Sequence, residues 1–255
     1  MVDAVAGGSG LIAVPALLAA GLPPHLALGT NKAQGVFGTF ASTLRYARAG
    51  LLDRKRTRIT FPLGLAGSFC GAALVLLVPP STLRPAVLVL LVLAAFAVAL
   101  RPRLWLAKAR TSAADPRTFP PDARISTPPG SRAPALVAAI IALVLGAYDG
   151  FFGPGAGTFM IVAFALLFRM PLQRASADAK PINFASNLAA LALFSARGAV
   201  LWKIALPMAA AQFAGAYFGA HLAVRGGDRL VRFVMLAVVL ALVAKLAIDT
   251  FQIAR

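Results

Sequence analysis

Two stretches decide how this chain is read: Asp3-Ala-Val-Ala-Gly-Gly-Ser-Gly-Leu-Ile (3–12) and Asp149-Gly-Phe-Phe-Gly-Pro-Gly-Ala-Gly-Thr (149–158). Each sets an aspartate just ahead of a glycine cluster, and each cluster leads into a short apolar run, 11–22 and 157–168. Glycine costs a helix about 1 kcal/mol relative to alanine, so neither cluster continues a helix cheaply. The runs that follow fall short of the ~20 residues that cross a hydrocarbon core. They read as half-helices entered through a glycine break.

The sequence around these breaks is strongly apolar. Of 255 residues, 60% are hydrophobic and 13% charged, with a mean hydropathy of +0.82; soluble domains carry about 25% charged residues. Seven longer apolar segments, 27–48, 59–78, 85–100, 134–148, 175–196, 204–224 and 230–248, alternate with basic or Pro/Gly-containing loops. The expectation is an all-α integral membrane protein with about seven long transmembrane segments and two short ones. The net charge of +17 sits between apolar runs rather than on one amphipathic face. It therefore points to loops facing an anionic membrane surface and not to nucleic acid. The basic run Arg54, Lys55, Arg56, Arg58 is explained in the same way.

Residues 101–133 hold six prolines, seven Lys/Arg and two Asp without a sustained apolar period. They divide the chain into a first transmembrane repeat (1–100), a basic, Pro-rich cytoplasmic linker (101–133) and a second transmembrane repeat (134–255). The halves match. A shift of 148 residues places Pro23 on Pro171, Ala27 on Ala175, Lys32 on Lys180, Gly50 on Gly198, Gly67 on Gly215 and Gly71 on Gly219; a shift of 146 places Asp3 on Asp149 and Gly7 on Gly153. This is an internal duplication, a common plan for transporters. If each break is a hairpin tip or a turn between crossings, the repeats are inverted and Lys/Arg divide 18 inside to four outside (Arg84, Arg197, Lys203, Arg255). If each break interrupts one straight crossing, the repeats are parallel and the division is 16 to 6. The inverted arrangement obeys the positive-inside rule better. The counterpart of helix 134–148 is missing ahead of Asp3, and the true start is expected upstream.

Several polar groups stand out against this background. In hydrocarbon, unpaired backbone groups are costly, so each break must face protein or a watery cavity, where the amides of the next half-helix suit an anion. Gly7, Gly8, Gly10, Gly153, Gly155 and Gly157 are candidates for that role, although close helix packing also favours glycine. Asp3 and Asp149 are candidates for coupling, by carrying a proton or holding Na⁺; capping of the half-helix is the plainer alternative. Ser176, Lys180, Asn183 and Asn187 recur at i, i+4, i+7 and i+11, which makes one polar helix face. Asn31 and Lys32 open the equivalent helix of the first half. The lysines either attract an anion or snorkel to the interface. Gln212 and His221 read as packed polar residues, and Gly67/Gly71 with Gly215/Gly219 as helix-packing pairs. Two histidines, one cysteine and no glutamate, without a hydrolase, zincin or P-loop motif, leave no basis for an enzyme, a metal or a cofactor.

Gly-Gly-Ser-Gly-Leu-Ile-Ala-Val-Pro-Ala-Leu-Leu (7–18), Gly-Leu-Pro-Pro-x-x-Ala-Leu-Gly-Thr-Asn-Lys (21–32), Tyr-Asp-Gly-Phe-Phe-Gly-Pro-Gly-Ala-Gly (148–157), Ala-Lys-x-x-Asn-Phe-Ala-Ser-Asn (179–187) and Gln-Phe-x-Gly-Ala-x-x-Gly-Ala (212–220) resemble the sulfite exporter TauE/SafE family. The resemblance covers nearly the whole chain outside the linker. It implies a multi-pass protein of the bacterial inner membrane, with two related halves, moving sulfite, thiosulfate, sulfonates or related anions. It also implies an apolar helix ahead of the first glycine motif. The expected function is secondary transport of a small sulfur anion, with the site near the midplane between the repeats. Partners are then the lipid bilayer and the anion, with a homo-oligomer or a soluble enzyme of sulfur metabolism as further candidates. A passive anion channel and a membrane subunit that holds a sulfur intermediate for an enzyme are the alternatives.

Overall fold

The computed structural model describes residues 2–7, 10–99 and 133–253, and all the regular structure among them is helical. The elements are α1 (Val2–Ala6), α2 (Gly10–Ala19), α3 (Pro24–Arg48), α4 (Arg54–Leu77), α5 (Pro80–Ala99), α6 (Ala133–Phe151), α7 (Ala156–Leu167), α8 (Leu172–Ala196) and α9 (Trp202–Ile253). Gly227, at φ 59° and ψ −153°, kinks α9 into two helical stretches. The expected linker falls outside the described residues, except that Ala133 already belongs to α6.

Two local expectations need correction. Read residue by residue, the sequence runs straight through Asp3 into the glycine cluster; instead a short helix, α1, leads into Gly7, and Asp3 lies inside it. Asp149 does not cap the half-helix that follows its break. It belongs to the last turn of α6, while Gly155 stands at the N-cap of α7 with no side-chain cap.

The long helices begin and end for local reasons that recur 148 residues apart. Pro23 and Pro171 occupy the N-caps of α3 and α8 with nearly identical backbones, φ −55° and −56°. Each helix runs 25 residues, about 37 Å at 1.5 Å per residue, and stops at a left-handed glycine, Gly50 (φ 70°) or Gly198 (φ 65°). The next amide then closes the helix end by reaching back five residues, Leu51 N–H to Tyr46 O at 3.2 Å and Ala199 N–H to Phe194 O at 2.8 Å. α4 and α9 start at Arg54 and Trp202, again 148 apart.

The matched helices α3 and α8 run antiparallel. Near one end Tyr46 meets Ser176, with their hydroxyls 3.3 Å apart; midway Gly35 lies against Asn187, and at the other end Gly29 lies against Ala199. By contrast α4 and α6 run parallel, with Gly64 on Gly146 and Ser68 on Gly150. α7 turns back along α6. Ile141 and Ala142 share an apolar cluster with Met160, Ile161 and Phe164, and the Tyr148 hydroxyl donates to Pro154 O at 2.8 Å. The second glycine break is therefore the tip of a helical hairpin.

Burial follows the pattern of a protein solvated by lipid. Leu77, Leu136 and Phe218 are 73%, 62% and 62% exposed, while Lys32, Lys180, Thr30 and Ser186 are buried. In water an apolar exterior around a polar core would be a large association surface; in a bilayer it is the lipid face. Among the described residues two helical stretches, Arg54–Leu77 and Pro134–Phe151, combine the length and apolarity that a crossing needs, and they pack on each other. Their contact depends on bare backbone. A Cβ on Gly71 would lie 2.0 Å from Ala147 O and 2.8 Å from Phe151 N, both main-chain atoms. Gly71→Ala is therefore expected to destabilise the protein by about 1–3 kcal/mol through overpacking, outweighing the ~1 kcal/mol gain in helix propensity. Thermal unfolding in detergent checks this, and an unchanged or raised melting temperature would show that the helices separate freely.

Candidate functional site

The two glycine breaks meet in the interior. Gly7, at φ 73°, lies so close to Gly157 that a Cβ on it would sit 2.4 Å from the Gly157 carbonyl carbon. Gly10 faces Pro154, with the Asn31 amide nitrogen 3.6 Å from where its Cβ would be. A small polar cavity, with room for about one water molecule, opens at this crossing. Gly7, Gly10, Gly153 and Gly157 line it from the breaks, Asn31 from α3, and Asn183 and Asn187 from α8. Asp3 and Asp149 complete the wall on the acidic side. Gly35 and Thr39 also line it, and the sequence reading missed both. The 148-residue shift that matches the halves carries Asn183 onto Gly35 and Asn187 onto Thr39, so the signal was present. Gly8 lies outside the described residues, and Gly155 is not part of the wall.

The lysines stand behind the carboxylates rather than on the wall. Lys32 Nζ is 2.6 Å from Asp149 Oδ1 and also donates to the Asp149 main-chain oxygen. Lys180 Nζ donates to the Asp3 main-chain oxygen and lies 3.9 Å from Asp3 Oδ2. Each lysine thus takes its aspartate from the opposite half of the chain. A second exchange surrounds the first. The Ser186 hydroxyl donates to Asp149 Oδ2, and the Ser68 hydroxyl holds the Ser186 carbonyl at 2.6 Å. Ser176 points away from the cavity, toward the main-chain oxygens of Ala4 and Val5 at 3.4 and 3.3 Å. It fastens α1 to α8. Ser186 was missed because it falls one position off the polar stripe, on the side of α8 that faces Asp149.

The amides on the wall are partly committed to one another. Asn31 Oδ1 accepts from Gln34 Nε2 at 2.9 Å, and Asn187 Nδ2 donates to Asn183 O at 2.7 Å. Asn183 Nδ2 lies 2.5 Å from where a Cβ on Gly157 would be. Beside it the first turn of α7 begins without a side-chain cap, so amide donors converge on the cavity from a helix start and from side chains.

At the margin of the described residues lies a further, partly buried charge pair. Arg56 donates to Asp178 Oδ2, the Asp53 amide donates to Asp178 Oδ1 at 3.1 Å, and the Arg56 guanidinium stacks over Phe168 at 4.6 Å. Arg56 thereby ties α4 to α8 and to the end of α7. Its three basic neighbours explain why the sequence reading assigned the whole run to topology. At the matching place in the other half, the Leu201 amide donates to Thr30 Oγ1 at 3.0 Å, with no charge involved.

Comparison with known proteins identifies relatives along nearly the whole chain. The family model described as "Sulfite exporter TauE/SafE" matches residues 1–246. A "Probable membrane transporter protein ORF9" of Sinorhizobium sp is 34% identical over 97% of this chain and 88% of its own length. The "Probable membrane transporter protein YfcA" of Escherichia coli K12 is 33% identical over 98% and 86%. A "Probable membrane transporter protein" of Haemophilus influenzae is 32% identical over 97% and 90%. No solved structure matches the chain significantly. The chain is a membrane transporter rather than an enzyme, and it belongs to the sulfite exporter TauE/SafE family.

Proposed function

We propose that the protein carries a small sulfur oxyanion or organosulfonate across the bacterial inner membrane through the cavity at the crossed breaks. The observation that carries this reading is the meeting of Gly7 and Gly157. Backbone from both halves forms one polar site in the interior, between lysine–aspartate pairs that each join the two halves. The antiparallel run of α3 against α8 supports inverted repeats, 1–100 and 134–255, joined by a cytoplasmic linker at 101–133. Alternating access follows if one repeat rocks against the other around this site. Asn31, Asn183, Asn187 and the start of α7 supply donors for oxyanion oxygens, and Lys32 and Lys180 supply the positive charge behind them. The family name points to sulfite; the donors suit any compact oxyanion of that kind.

A thermal-stabilisation panel of sulfite, thiosulfate, sulfate, sulfoacetate, taurine and chloride tests the reading. The expected result is a saturable shift with one sulfur anion, worth about 2.7 kcal/mol at a hundred times its Kd, and lost in Asn183→Ala. No shift with any sulfur anion, in protein that still shows a cooperative melt, would sink it. That outcome favours a membrane subunit working with a soluble enzyme of sulfur metabolism.

A further inference from the structure

Four buried charges meet at the cavity and sum to zero. Lys32 and Lys180 are 1% and 0% exposed, and Asp3 and Asp149 are 4% and 3% exposed. The carboxylates form part of the wall; the ammonium groups do not. Asp3 and Asp149 share one wall and each is paired with a lysine behind it, which makes the four groups one cluster rather than two separate pairs. Among the described residues two phenols also face the cluster, Tyr46 near Asp3 and Tyr148 near Asp149, and phenols carry no charge near neutral pH.

An anion entering this wall meets two carboxylates before it meets a lysine. At membrane depth its charge is strongly disfavoured unless something compensates it. Protonating a carboxylate does so twice over: it removes a negative neighbour, and it frees the ammonium that the carboxylate was neutralising. The local bonding allows this at Asp149. The Ser186 hydroxyl, which donates to Asp149 Oδ2, has a second acceptor in Asn183 O at 3.3 Å and can turn to it when that oxygen takes a proton.

Building on the anion-transport reading above, we infer that each bound anion takes up protons equal in number to its charge. A monoanion brings one proton to a single carboxylate; a dianion brings one to Asp3 and one to Asp149. Each proton forms one O–H bond on a carboxylate oxygen, and no other covalent bond changes. The loaded cavity is neutral overall, so the step that carries it across the membrane moves no net charge. Two carboxylates also set an upper limit on the substrate class. Monoanions and dianions, such as sulfonates and thiosulfate, are accepted, and trianions are not.

Isothermal calorimetry on the purified full chain, in buffers of different ionisation enthalpy, counts the protons directly. Methanesulfonate and thiosulfate are suitable probes because neither titrates near neutral pH, whereas sulfite does. The expected uptake is about one proton per methanesulfonate and about two per thiosulfate, with Kd tightening about tenfold and about a hundredfold per unit fall in pH. Asp3→Asn is expected to keep thiosulfate binding and lower its count to about one. Binding of both probes with no proton uptake, or with a requirement for sodium instead, overturns the inference and leaves the anion-transport reading standing. Absence of binding by both, in protein with a cooperative melt, overturns the two together.

Discussion

Lys32→Met is expected to destabilise the protein by about 3–5 kcal/mol, the usual cost of stranding one member of a buried ion pair. That corresponds to a fall of about 10 °C in melting temperature. Lys32 is 1% exposed and its ammonium satisfies both a side-chain and a main-chain oxygen of Asp149. Its loss leaves the Asp149 carboxyl in the interior without its cation, with Ser186 as its remaining donor among the described contacts. Removing the carboxylate as well changes the outcome, because two apolar side chains of similar volume are often tolerated where a buried pair stood. Lys32→Met/Asp149→Leu is therefore expected to recover to within about 1–2 kcal/mol of the native protein.

Transport separates this role from a merely structural one. The double variant is expected to be folded and inactive, because it lacks both the cation behind the wall and a proton-accepting carboxylate on it. Stability from thermal unfolding and flux into proteoliposomes, with the anion the stabilisation panel identifies, check the two halves of the expectation. A double variant that is stable and transports normally would reduce the Lys32–Asp149 pair to a packing element.

Much of the fold was legible because its punctuation is chemically specific. Pro23 and Pro171 cannot continue a preceding helix, and Gly50 and Gly198 take the left-handed backbone that ends one, so the ends of α3 and α8 were marked by residue type. α1 was not legible, since five residues offer no period to detect. On the wall, Asn183 and Asn187 stood out as amides on an apolar helix, whereas Gly35 and Thr39 are types that any membrane helix carries. The cross-pairing of the lysines left no local trace. Lys32 and Asp149 are 117 residues apart and Lys180 and Asp3 are 177 apart, and a charge seen alone fits an anion site and an ion pair equally well. Arg56 shows the same limit in a different way. Four basic residues share the start of α4, and only the helix's rotation against α8 and α7 decides which of them turns inward.

Gly157→Ala is expected to abolish transport, a fall of more than about tenfold, while costing about 1–3 kcal/mol of stability through overpacking. Gly157 needs no special backbone angle, being the second residue of α7; what it needs is the absence of a side chain. A Cβ there would lie 2.5 Å from Asn183 Nδ2, 2.7 Å from Gly7 O and 2.8 Å from Gly7 Cα. The asparagine can rotate away, but only by giving up its place on the wall, and the Gly7 backbone is held by the α1 contacts of Lys180 and Ser176. Either response damages the cavity. Gly198→Ala is the matched control: its φ is 65° and a Cβ there would meet nothing within 4 Å, so it carries only the ~1–2 kcal/mol strain of a left-handed residue. Both variants are expected to lose comparable stability, yet Gly198→Ala keeps its flux per folded molecule. Equal flux from the two would mean that the crossing of the breaks is a packing contact and that the anion passes elsewhere.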